Sequence, residues 1–197
     1  MGKQRLEAFS DGVLAIIITI MVLELKVPES SDPAALKPLI PVFLSYVLSF
    51  LYIGIYWNNH HHMLHSVQHV NGKVLWANMH LLFWLSLVPF ATAWMGENHF
   101  ETWPIALYGI MLLGAACAYY ILAHSLIQLH GKNSELAIAF GRDEKGKISA
   151  VIYFFAIILS FFYSPVSLAL YAVVALIWII PDTRIEKKIA EQNNNFN

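Results

Sequence analysis

Two groups of residues have types and spacings that could do chemistry. His60, His61, His62, His65 and His69 crowd one short stretch. On a helix His61 with His65, and His65 with His69, stand four residues apart, and His62 with His65 three apart, so two imidazoles could share one metal ion. Such a pair would suit a di-iron oxygenase or a zinc enzyme. The remaining histidines, His80, His99, His124 and His130, form no second paired motif, and the later apolar segments hold no carboxylate to complete a ligand set. The same imidazoles can bond backbone, lipid headgroups or a neighbouring helix, or sense pH, because histidine titrates near neutrality. No catalytic residue, metal ligand or cofactor is therefore assigned. The second group is Arg5, Glu7, Ser10 and Asp11, which interrupt the first apolar segment near its start, with Glu24 and Lys26 at its far end.

The elements that hold these groups follow from composition. The chain has 197 residues, 58% hydrophobic, 14% aromatic and 13% charged, with a mean hydropathy of +0.57. A soluble domain of this length carries about a quarter charged residues, so the apolar excess must face lipid. Disorder is excluded by the same excess, and a disulfide scaffold by the lone Cys117. A net charge of -1 gives no field to attract nucleic acid. The fold class is an all-α integral membrane protein.

A crossing helix needs about 20 apolar residues. Six segments qualify, over residues 6–27, 35–57, 74–95, 103–128, 148–163 and 166–180, and form a single domain over residues 1–197. The last two share one apolar block broken at Ser164-Pro165, where proline removes a donor and clashes with the preceding turn. They read as a tight hairpin, extended by Lys145 and Lys147 at one end and by residues 183–188 at the other. With six crossings, Lys3, Arg5, Lys73, Lys132, Arg142, Lys145, Lys147, Arg184, Lys187 and Lys188 fall on one side and Lys26 and Lys37 on the other. That bias predicts cytoplasmic termini. Trp57, Trp94, Trp103 and Trp178 fall near span ends, Gly109 and Gly114 suit close helix packing, and residues 134–140 could form a short interfacial helix. Cys117 reads as packing, and Asn71-Gly72 as the turn into the third span.

Ionisable groups inside a span are costly and mark functional candidates. At 100° per residue, Gly12, Ile16, Thr19, Ile20 and Leu23 share an arc of roughly 100°, while Asp11 lies nearly opposite Ile16. Asp11 therefore looks toward neighbouring helices, and the Ile16 face either packs within the subunit or meets another surface.

Arg5-x-x-x-Phe9-Ser10-Asp11-Gly12 on the first span resembles the signature of the transmembrane protein 175 family, lysosomal and bacterial potassium channels. Trp57-Asn58-Asn59-His60-His61 is similar to that family's Trp-x-x-His-His element, and Asn78 and Pro89-Phe90 in the third span are similar too. The resemblance covers the whole chain as one six-helix unit, the arrangement of the bacterial members. It implies a homotetramer in the inner or plasma membrane of a prokaryote, with the first helices lining a central pore, membrane lipids outside and potassium ions as the permeant species. It places the constriction on apolar side chains beginning at Ile16, with rings at Ile20 and Leu23 and hydroxyls at Thr19. It also places Arg5, Ser10 and Asp11 in a buried network with groups such as Trp57, His61 and Asn78. Arg5 shares the Ile16 azimuth, so a direct Arg5–Asp11 pair is not expected.

A narrow apolar neck gates by dewetting, and an ion that passes it sheds part of its shell. A secondary transporter is the rival class. Carriers favour inverted repeats and helices broken at mid-membrane, and spans two to four show no Gly-Pro break and no repeated motif.

Overall fold

A computed structural model describes residues 2–141 and 143–179. Seven α-helices follow in order: α1 Gln4–Leu23, α2 Ile40–His65, α3 Gly72–Ser86, α4 Val88–Glu97, α5 Thr102–His130, α6 Glu135–Phe140 and α7 Glu144–Ile179. Among the described residues five segments are long and apolar enough to cross a membrane: α1, α2 with the residues from Pro33, α3 with α4, α5 and α7. The last of them folds into two arms, as follows.

Tyr163 has an extended backbone (φ -155°, ψ 89°) inside α7. Pro165 then lies in the first turn of the second arm, where its missing N–H leaves no bond unmade. The arms fold back on each other: the Ser167 hydroxyl donates to the Ala156 carbonyl at 2.6 Å, and the Trp178 indole donates to the Ser149 hydroxyl at 2.9 Å. In a straight helix those last two residues would be about 43 Å apart. Among the described residues the two arms of α7 bring the apolar helical segments to six, the number expected. Residue 180 and the basic cluster Arg184, Lys187 and Lys188 lie outside the described residues, as does Arg142.

The boundaries shift in three places. The first span stops at Leu23 rather than residue 27, ahead of Pro28. In the second, a 3-10 turn over Pro33–Leu39, capped by Asp32, precedes α2, because Pro38 and Pro41 delay a regular helix. Nothing breaks the chain after Trp57, so α2 runs on to His65. The Lys3 ammonium stops it there by donating to the Leu64 and His65 carbonyls at 2.7 and 3.0 Å. The third span is interrupted at Leu87, because Pro89 cannot donate to Leu85 and its ring crowds that carbonyl. Asn71 caps α3 and Ser134 caps α6, the short helix expected in that loop.

α5 is the central helix and packs on α3, α4 and α7, whereas α1 packs on α2, α3 and α4 at one edge. Tyrosines stitch the centre: Tyr52 donates to the Tyr171 carbonyl at 2.7 Å, Tyr153 to the Tyr52 hydroxyl at 3.2 Å, and Tyr171 to the Ile105 carbonyl at 3.3 Å. Two glycines of α5 permit close approach. A Cβ on Gly109 would fall on the Tyr171 hydroxyl, and one on Gly114 on the Trp84 indole. By contrast, a Cβ on Gly12 would meet nothing. Gly109→Ala should therefore cost about 1–3 kcal/mol by overpacking, read as an earlier thermal melt in detergent, while Gly12→Ala should melt with the wild type. Equal melting of all three proteins would contradict this packing. Cys117 on α5 is exposed rather than packed.

Candidate functional site

α1 is two-sided. Leu6, Ser10, Leu14, Ile17 and Met21 recur at helical spacing and are buried. The other side carries Ile16 at 58% exposure, Ile20 at 43% and Leu23 at 80%, against 2–3% for Leu14, Ile17 and Met21. Arg5, Phe9, Gly12 and Thr19 are exposed there too. Among the described residues nothing covers this stripe. The Thr19 hydroxyl donates to its own helix at the Ile16 carbonyl, 2.8 Å away. That bond consumes its proton and leaves oxygen lone pairs free to face outward.

Polar contacts hold the opposite side. The Trp57 indole donates to Asp11 at 3.1 Å, and the His61 Nδ1 lies 3.4 Å from Glu7. The Trp57 and His61 rings stack with centroids 6.0 Å apart. Glu7 and Asp11 are one turn apart on α1, as Trp57 and His61 are on α2, so the antiparallel helices meet in register, and Lys3 continues it at the end of α2.

A deeper bridge runs through Asn78 of α3. The buried Ser10 hydroxyl donates to the Leu6 carbonyl at 2.8 Å and accepts from Asn78 Nδ2 at 2.9 Å. The amide oxygen of Asn78 therefore faces His60 Nε2, 2.7 Å away. Only the tautomer protonated on Nε2 satisfies that contact, which leaves Nδ1 buried and without a partner among the described residues.

Of the residues expected in the network, Ser10, Asp11, Trp57 and Asn78 are thus joined by hydrogen bonds, and His61 reaches Glu7. Arg5 has no hydrogen bond or ion pair among the described residues, and Phe9 and Gly12 stand beside it on the uncovered stripe. Sequence reasoning missed His60 and Glu7. His60 prolongs the buried line of Ile53 and Leu64 on α2, and a polar residue on a buried stripe implies a partner. Trp57 sits two turns short of the end of α2 rather than at a span end. The histidines do not gather around one point: His69 leaves the helix and packs at a tilt against His130 with centroids 4.6 Å apart, so its helical pairing with His65 is lost. Among the described residues no three His, Cys, Asp or Glu side chains converge as for a metal.

A potassium channel of Chryseobacterium sp. (strain P1-3) is 58% identical over 97% of this chain and 100% of its own length. The model of the family described as "Endosomal/lysosomal potassium channel TMEM175" matches residues 5–89. The chain belongs to the TMEM175 family. The matched stretch contains the uncovered stripe of α1 and every partner in the polar network behind it. A potassium channel of Streptomyces collinus is 31% identical over 87% of this chain and 89% of its own length. A crystal structure of a lysosomal potassium-selective channel TMEM175 homolog from Chamaesiphon minutus superposes with a TM-score of 0.78 at 29% identity, over 90% of this chain and 96% of that one. This chain is accordingly a multi-pass membrane protein of an ion-channel family.

Proposed function

We propose that this chain is one subunit of a homotetrameric potassium channel, in which four copies of α1 surround the conduction path. The observation that carries the reading is the two-sided α1: an apolar stripe through Ile16, Ile20 and Leu23 is left uncovered on a helix whose other side is held by the buried Asn78–Ser10 bond and the exposed Trp57–Asp11 bond. One helix face cannot enclose a pore, and a symmetric ring of four can. Membership in TMEM175 and the potassium channels named among the relatives support the permeant ion.

In this reading Ile16, Ile20 and Leu23 form successive apolar rings that hold the neck dry until it widens. The membrane is a prokaryotic inner or plasma membrane, and both termini are cytoplasmic. One end of the bundle carries Lys3, Lys73, Lys132, Lys145 and Lys147, and the other carries Lys26 paired with Glu97 at 3.0 Å, which fits that orientation. No catalytic step and no cofactor are assigned.

Reconstitution in planar bilayers tests the reading. Discrete single-channel currents that reverse near the potassium equilibrium potential are expected, whereas slow proton-linked flux without unitary currents would make the protein a carrier. Thr19 gives a finer test. Its outward lone pairs can replace part of a lost hydration shell, so Thr19→Val should move the reversal potential toward that of a non-selective pore under opposed potassium and sodium gradients. A reversal potential identical to wild type would remove Thr19 from the permeation path.

A further inference from the structure

Away from α1, a cavity of about 330 Å³ opens between α2, α5 and the two arms of α7. Its walls are mostly apolar, from Ile55, Ala116, Ile121 and Ala150 and the rings of Tyr153 and Trp178. Its volume lies within the range of small-molecule sites and takes part of a hydrocarbon chain. An apolar void of this kind does not hold water, and left empty its lining forfeits contacts. Cys117, Tyr120 and Ile121 of its wall are exposed, so the cavity is open beside α5.

The charged residues of the lining, Lys147 and Asp143, stand together at the start of α7. Asp143 accepts from the Gly146 N–H at 3.1 Å, and a Cβ on Gly146 would fall on that carboxylate, so the turn fixes where the charge sits. Tyr56 also lines the cavity, and its hydroxyl has no hydrogen bond among the described residues.

We propose that this cavity holds one acyl chain of a zwitterionic phospholipid, its phosphate on Lys147 and its ammonium toward Asp143. A lone hydrocarbon would leave Lys147 unanswered, and a purely anionic head would meet the Asp143 carboxylate. The Tyr56 hydroxyl is placed to donate to a glycerol ester. This inference does not rest on the pore reading, because none of these residues lies on α1.

Cys117 is the sole cysteine and lines the cavity, so the native chain carries its own reporter. The full-length protein would be reconstituted in vesicles of phosphatidylglycerol alone, of phosphatidylglycerol with phosphatidylethanolamine, and of phosphatidylglycerol with oleic acid. Each is then treated with N-ethylmaleimide. Alkylation of Cys117 should slow roughly tenfold with phosphatidylethanolamine, as for a site at about ten times its Kd, and much less with oleic acid. Ala150→Phe fills the cavity and should make the rate the same in all three membranes. Lys147→Gln, at an exposed position that leaves the fold intact, should restore most of the lost rate. A rate insensitive to lipid in the wild type, equal protection by oleic acid, or full protection retained in Lys147→Gln would each overturn the proposal.

Discussion

Ile16→Asn should raise unitary conductance roughly tenfold, corresponding to a barrier lower by about 1.4 kcal/mol, and bring potassium and sodium permeabilities close together. Ile16 is more than half exposed on a helix whose buried side is one residue away at Ile17. In a ring of four, its side chains offer water no hydrogen bond, so a hydrated ion in the neck must give up part of its shell. Sodium holds its shell more tightly than potassium, and that difference is the whole discrimination available without a cage of fixed carbonyls. An amide at position 16 donates and accepts, keeps the neck wet and lets both ions pass with their shells largely intact. Ile17→Asn is the matched control. It buries an amide on the packed side of α1, which costs about 1–3 kcal/mol without a partner, and so should lower the melting temperature. Single-channel recording with bi-ionic reversal potentials separates the two. If Ile16→Asn conducts and selects like wild type, Ile16 does not line the path.

How much of this was legible in the residues depends on what each feature needs. The six crossings were readable because apolar length and Pro165 are local, and the return of the second arm of α7 follows from a single backbone break at Tyr163. The two sides of α1 were readable for a similar reason, since a period of 3.6 residues puts Ile16, Ile20 and Leu23 together whatever surrounds them. Partner identity was not. Whether Asn78 meets His61 or His60 depends on the rotation of α2, which is set by how Ile53, His60 and Leu64 pack. The length of α2 was misjudged because hydropathy falls at Asn58, while the helix itself has no reason to stop until Lys3 caps it. Whether the neck is lined by four copies of Ile16 is a property of the assembly, to which a single chain contributes only an uncovered stripe.

Removing the Asn78 side chain should have the largest effect on stability, because it satisfies two other helices at once. Asn78→Ala leaves Ser10 without its donor and the His60 Nε2–H without its acceptor, and both side chains are buried. Interhelical hydrogen bonds between membrane helices are worth only about 0.6 kcal/mol on average, since unpaired groups find other partners. Here the alternatives are few: Ser10 keeps the Leu6 carbonyl, but His60 already has one bare nitrogen in Nδ1 and would then have two. A buried unmade bond costs about 1–3 kcal/mol, so the loss should be about 2–4 kcal/mol, or roughly 5–10 °C in melting temperature for a chain of this size. Ser10→Ala orphans only the Asn78 amide group and should cost less, and the double variant should fall short of the sum because the two share one bond. Unlike a purely structural lesion, the loss should also reach conduction, since Ser10 fixes the rotation of α1 six residues before Ile16. Open probability should change in Asn78→Ala while Ile16 is intact. If Asn78→Ala melts and gates like the wild type, the Ser10–Asn78–His60 bridge does not set the position of α1, and the Trp57–Asp11 and His61–Glu7 contacts alone must hold it.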